Sequence, residues 1–132
     1  WFLEKLISLN PEIICVEYNP SYKLHPVTSI YDKNFDRTSK HPDWIYYGMS
    51  LEAAHRFLTF YNYSLVKISS NCVNAFFIRN DLVTNNTDVI YPDEKHCNYD
   101  WPEGTTTDSN WQMLKNYEFI EVSKDLTLKP FK

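Results

Sequence analysis

The most constraining stretch of this chain is Ile13-Ile14-Cys15-Val16, an unbroken apolar run between Pro11 and Glu17. It is too short for a helix and lacks the alternation of a strand with one wet face. It predicts a strand buried on both sides, the habit of parallel sheets flanked by helices. Within residues 1–9, Phe2, Leu3, Leu6 and Ile7 share one helical face, with Glu4, Lys5 and Ser8 opposite. Asn10-Pro11 stops that helix, because a residue before proline avoids the helical region.

The segment from Pro20 to Gly48 carries Pro20, Pro26 and Pro42 among many aromatics. Aromatic side chains seek burial, so the stretch predicts an ordered loop covering the sheet rather than a disordered one. A helix follows. Ser50 caps it, Glu52 sits in its first turn, and Ala54, Phe57, Leu58 and Tyr61 recur on one face. Asn62 is a suitable stop. Tyr63–Ile68 and Asn74–Ile78 read as strands whose short connection, Ser69–Val73, makes them antiparallel neighbours. The strands at Ile13 and Tyr63 flank a crossover helix, so they are expected parallel, with the third strand antiparallel to them. Beyond residue 82, Asn, Asp and Thr dominate as far as Ser109 and read as loop. A short helix is expected after Asp108 or Ser109, with short strands at Glu118–Val122 and Leu126–Leu128.

Composition removes several functions. The chain has 2 glycines in 132 residues, Gly48 and Gly104, which cannot build the Gly-rich turn of a complete cofactor-binding fold. With a start at Trp1 inside a helical pattern, this reads as a truncated fold. The net charge of −4 arises after residue 81, where 9 acidic residues face 5 basic ones. No basic stripe serves a phosphate backbone, so nucleic acid is a poor candidate partner. No apolar run reaches the length of a membrane span. Cys15, Cys72 and Cys97 form no CxxC pair and read as free thiols of a cytoplasmic protein. His25, His41, His55 and His96 show no metal-ligand spacing. Pro92-Asp93-Glu94-Lys95 lacks the second half of the nuclease motif it would belong to, and no GxSxG, P-loop or GxGxxG is present.

Several blocks are more specific. Asn10-Pro11-Glu12-Ile13-Ile14-Cys15-Val16-Glu17-Tyr18-Asn19 resembles a strand of FkbM-like proteins related to the S-adenosylmethionine-dependent methyltransferases. So do Tyr31-Asp32-Lys33-Asn34-Phe35, Tyr47-Gly48-Met49-Ser50-Leu51, Tyr63-Ser64-Leu65-Val66 and the run from Asn74 to Leu82. The resemblance covers residues 1–82. It implies an α/β chain forming the C-terminal half of a Rossmann-like methyltransferase fold: helix, parallel strand, long loop, crossover helix, strand, antiparallel strand. The hairpin's return strand would lie between the other two. Residues 83–132 would be an acidic, loop-rich extension packed on it. The cofactor implied is S-adenosylmethionine, its binding residues expected upstream of this fragment. The activity implied is O-methylation of a small or glycan-like acceptor.

In open α/β sheets, ligands sit beyond the carboxyl ends of the strands. Glu17 and Asn19 lie at such an end and are the candidate catalytic residues. A carboxylate there takes or orients the proton of an acceptor hydroxyl. The alternatives are that Glu17 caps a loop amide or pairs with Arg37 or Arg56, and that Asn19 fixes the turn before Pro20. Tyr18, Tyr31, Asp32, Tyr47, Gly48 and Ser50 are the candidate substrate-binding residues, with Ser50 also a helix cap. A second reading is a non-catalytic interaction module that pairs with a partner, or with a second copy, through an exposed edge at residues 13–17.

Overall fold

The computed structural model describes residues 2–99, 101 and 104–131; Trp1, where the expected first helix begins, lies outside them. Helix α1 (Phe2–Ile7) leads into β1 (Ile13–Glu17). After a 3-10 turn at Pro20–Tyr22 come β2 (Val27–Ser29), the short α2 (Arg37–Lys40) and α3 (Leu51–Phe60). The hairpin of β3 (Tyr63–Ile68) and β4 (Asn74–Arg79) follows. The remainder holds 3-10 turns at Asn80–Leu82 and Glu94–Cys97, then α4 (Thr107–Leu114), β5 (Phe119–Val122) and β6 (Leu128–Pro130). No helix among the described residues is long and apolar enough to cross a membrane.

The strands form two three-stranded sheets, β1-β4-β3 and β2-β5-β6, and every pairing within them is antiparallel. This overturns the expected parallel-strand, Rossmann-like half. β1 and β3 both run against β4 and so point the same way, but they do not pair. β4 lies between them, with Ile14 opposite Phe77 on one side and Leu65 opposite Phe77 on the other. The reason is local. A turn closed by the Ser69 amide on the Asn74 carbonyl, at 2.9 Å, returns the chain at once beside β3. The return strand, with its own apolar run Ala75–Ile78, then takes the central place.

β1 is therefore an edge strand with one covered face. Ile14 and Val16 are 2% and 8% exposed, whereas Ile13 is 63% exposed and Cys15 is also open. The covered face packs against α3 through Leu51, Ala54 and Leu58, and against Leu3 of α1. The helix starts where its cap places it: Ser50 Oγ accepts from the Ala53 amide at 2.9 Å. The unbroken apolar run was a poor guide because two of its four residues lie on the open face.

The segment from Pro20 to Gly48 is ordered, but it is more than a cover. It contributes β2, which the sequence did not show, and β2 joins β5 and β6 of the tail; β5 falls within the strand expected at Glu118–Val122, and β6 starts where the strand expected at Leu126–Leu128 ends. A second core forms there from Tyr22, Val27, Ile45, Tyr46, Leu114 and Phe119. Tyr22 meets Phe119 edge-on at 4.9 Å, a favourable aromatic geometry. Tyr46 donates its hydroxyl to the Glu118 carbonyl at 2.5 Å, and Arg56 of α3 donates to the Val122 carbonyl at 3.1 Å. These bonds join the tail's strand to the loop and to the helix.

One-sided burial of β1 makes a sharp test. Ile14→Ala should cost about 3 kcal/mol of unfolding free energy, and Ile13→Ala less than about 1 kcal/mol. Denaturant titration of the two variants measures both, and equal losses would contradict the single covered face.

Candidate functional site

A cleft of about 780 Å³ runs along the outer edge of β1. That volume falls in the range of small-molecule sites, on the order of 300–1,000 Å³. Cys15, Val16 and Glu17 all line it. Consecutive strand residues point to opposite faces, so a wall containing all three is the strand's edge. Leu3 and Leu6 of α1 and Phe57 of α3 make an apolar floor, while Tyr31, Asp32 and Gly48 reach it from the long loop.

The loop is held at its base by Asn19. Its backbone amide donates to the Met49 carbonyl at 2.7 Å. Its side-chain amide donates to the carbonyls of Ile45 and Tyr47 at 2.8 and 3.0 Å, and its Oδ1 accepts from the Ser21 amide at 3.0 Å. The side chain is wholly buried. Asn19 thus satisfies four backbone groups that no strand serves, a full use of its donors and acceptors. Gly48 follows with φ of 63°, a left-handed conformation in which side-chain-bearing residues are strained. Its carbonyl accepts from the Ser29 amide at 2.8 Å and from Thr28 Oγ1 at 3.0 Å, which seats the loop's end on β2.

Glu17 lies near the Tyr47 side chain and acts on its hydroxyl. The Arg37 guanidinium sits over the Tyr47 ring, 3.8 Å from its centroid, and its Nε donates to the Trp44 carbonyl at 2.5 Å. Burial raises the Tyr47 phenol from 10.0 to about 12; Arg37 opposes the rise, and the Glu17 charge and hydrogen bond add to it. At the rim, Asp32 accepts from Lys40 Nζ and from the Asn34 amide, each at 2.9 Å. The lysine contact, then that amide, holds the Asp32 carboxyl below its usual range.

Of the residues expected from the sequence, Glu17, Tyr31, Asp32 and Gly48 meet at the cleft, and Tyr47 stands behind Glu17. Tyr18, Asn19 and Ser50 are fully buried in structural roles; the Tyr18 hydroxyl donates to the His96 carbonyl at 2.5 Å. Arg56, considered as a partner of Glu17, instead donates to Glu52 at 2.7 Å. Sequence reasoning missed the apolar floor, because Phe57 reads as ordinary core. It also missed Arg37 as a lid over Tyr47, for which no local signal exists. A second cleft of about 480 Å³, bordered by Lys23, Trp101 and Asp108, contains none of the expected residues. No group of three or more His, Cys, Asp or Glu among the described residues is placed to share a metal ion. Comparison with protein-family models, curated proteins and solved structures gives no match.

Asn19→Ala should lower unfolding free energy by about 3 kcal/mol, since it strands buried carbonyls. A loss below about 1 kcal/mol in denaturant titration would contradict the clamp. Alkaline pH should also weaken the fold. In the folded chain Tyr47 keeps its proton up to about pH 12, whereas an unfolded phenol loses it near 10.0. The unfolded state therefore binds fewer protons across that window, and stability falls as pH rises through it. Thermal melts from pH 9 to 12 should show the fall, made shallower by Tyr47→Phe.

Proposed function

We propose that this chain supplies the acceptor side of a methyl-transfer cleft, taking a small or glycan-like molecule that presents a hydroxyl. The supporting observation is convergence. Glu17, the Tyr31-Asp32 pair and Gly48-Met49 come from three separate blocks that carry the methyltransferase resemblance, and all of them border one cleft. The apolar floor suits the C–H face of a sugar-like ring, and the Asp32 carboxylate, already oriented by Lys40 and Asn34, accepts a hydroxyl at the rim. Glu17 at the strand's end receives the proton of the reacting hydroxyl.

The described residues do not fit S-adenosylmethionine itself. Gly48 and Gly104 are far apart in the chain and build no Gly-rich turn against which the cofactor could lie close to backbone. In this reading the methyl donor is held by residues other than these. Titration calorimetry of the 132-residue chain with S-adenosylmethionine should show no heat of binding; micromolar affinity would overturn that division of labour. With the donor-binding part joined to the chain, Glu17→Gln should reduce methyl transfer at least about 100-fold. Undiminished transfer would remove Glu17 from the chemistry.

The open edge of β1 favours a second reading, a non-catalytic module that adds a partner strand along residues 13–17. Light scattering over a range of concentrations separates the two. Self-association abolished by Cys15→Pro, which removes an edge donor, supports pairing; a monomer at all concentrations counts against a second copy.

A further inference from the structure

Cys72 and Cys97 are remote in the chain, yet the fold brings them to one place. Cys72 sits in the β3–β4 turn with φ of 54°, a left-handed conformation uncommon outside glycine. Its Sγ lies 3.7 Å from the Lys95 carbonyl, in the 3-10 turn that ends at Cys97. The Tyr18 hydroxyl donates to the His96 carbonyl of that same turn. Burial first, and then both sulfurs, push the Tyr18 phenol up; burial first, and then Cys72, pushes the Cys97 thiol up. Cys72 is half-buried and open to a reagent, whereas Cys97 is 4% exposed; Cys15 is exposed on β1.

We propose that Cys72 and Cys97 form an oxidisable pair whose disulfide fastens the β3–β4 turn to the segment leading into α4. A low-molecular-weight disulfide serves as oxidant. The Cys72 thiolate attacks one of its sulfurs and releases the first thiolate. The Cys97 thiolate then attacks Cys72 Sγ and expels the second. The protein pair loses two electrons, the reagent's disulfide gains them as two thiols, and the two protons pass to those thiols or to solvent. Burial pushes the Cys97 thiol up to about 12, so the second step sets the pace and quickens as pH rises. The closed bond spans residues 73–96 and removes loop freedom from the unfolded chain.

The test treats the native chain with oxidised glutathione, alkylates the remaining thiols after unfolding, and maps the peptides by mass spectrometry. The expected product has Cys72 joined to Cys97, Cys15 alkylated, and a melting temperature raised by about 10 °C that dithiothreitol reverses. Glutathione retained on Cys72 with Cys97 alkylated would overturn the proposal, as would cross-links that use Cys15. Cys15→Ser should keep the oxidative rise in melting temperature and Cys72→Ser should lose it; a rise that survives in Cys72→Ser also overturns the pair.

Discussion

The site depends on one buried side chain. Asn19 gathers the carbonyls of Ile45 and Tyr47 and the amide of Ser21 around its carboxamide, and its own amide reaches Met49. These bonds close the segment between Pro20 and Gly48 at its base, so the chain returns to the end of β1 at a fixed point. Closing a long loop costs entropy that grows slowly with length, and a few well-made buried bonds suffice to hold it. The neighbouring residues inherit that fixed point. Tyr47 is set against Glu17, Gly48 turns onto β2, and Ser50 arrives where it can cap α3.

The second organising feature is the one-sided sheet. Helix α3 covers a single face of β1-β4-β3, and its far side reaches the second sheet through Arg56. The helix is therefore shared between two small cores, neither large enough to bury both sides of its own strands. That economy leaves the edge of β1 open, and the cleft exists because nothing among the described residues pairs there.

What the sequence made legible was local. The face of α3, the Ser50 cap and the β3–β4 hairpin all follow from spacing and from a short turn, and they were readable for that reason. The parallel pair was not: β1 and β3 run the same way with β4 antiparallel between them, the place expected for the return strand, but they do not pair. The run Ile13–Val16 matches a strand buried on both faces, yet burial depends on which segment arrives next to it. The second apolar run, at Ala75–Ile78, competes for the centre and takes it because the hairpin delivers it beside β3. Sheet β2-β5-β6 joins three short pieces across most of the chain; β5 was readable as a short strand, but β2 is too short to show a period and nothing local says that the two would pair. The site followed the same division. Strand-end and loop logic singled out Glu17, Tyr31, Asp32 and Gly48, which border one cleft, whereas the inward roles of Tyr18 and Asn19 required knowledge of what their side chains meet.

The central place of β4 governs how this molecule breathes. Its backbone groups are engaged on both flanks, so none can be exposed without parting from β1 or β3. β1 is bonded on one flank alone and can peel away while the hairpin stays intact. Local opening should therefore begin along the wall of the cleft and reach β4 last, which gives the cleft-lining edge a lower threshold for motion than the strand that anchors it.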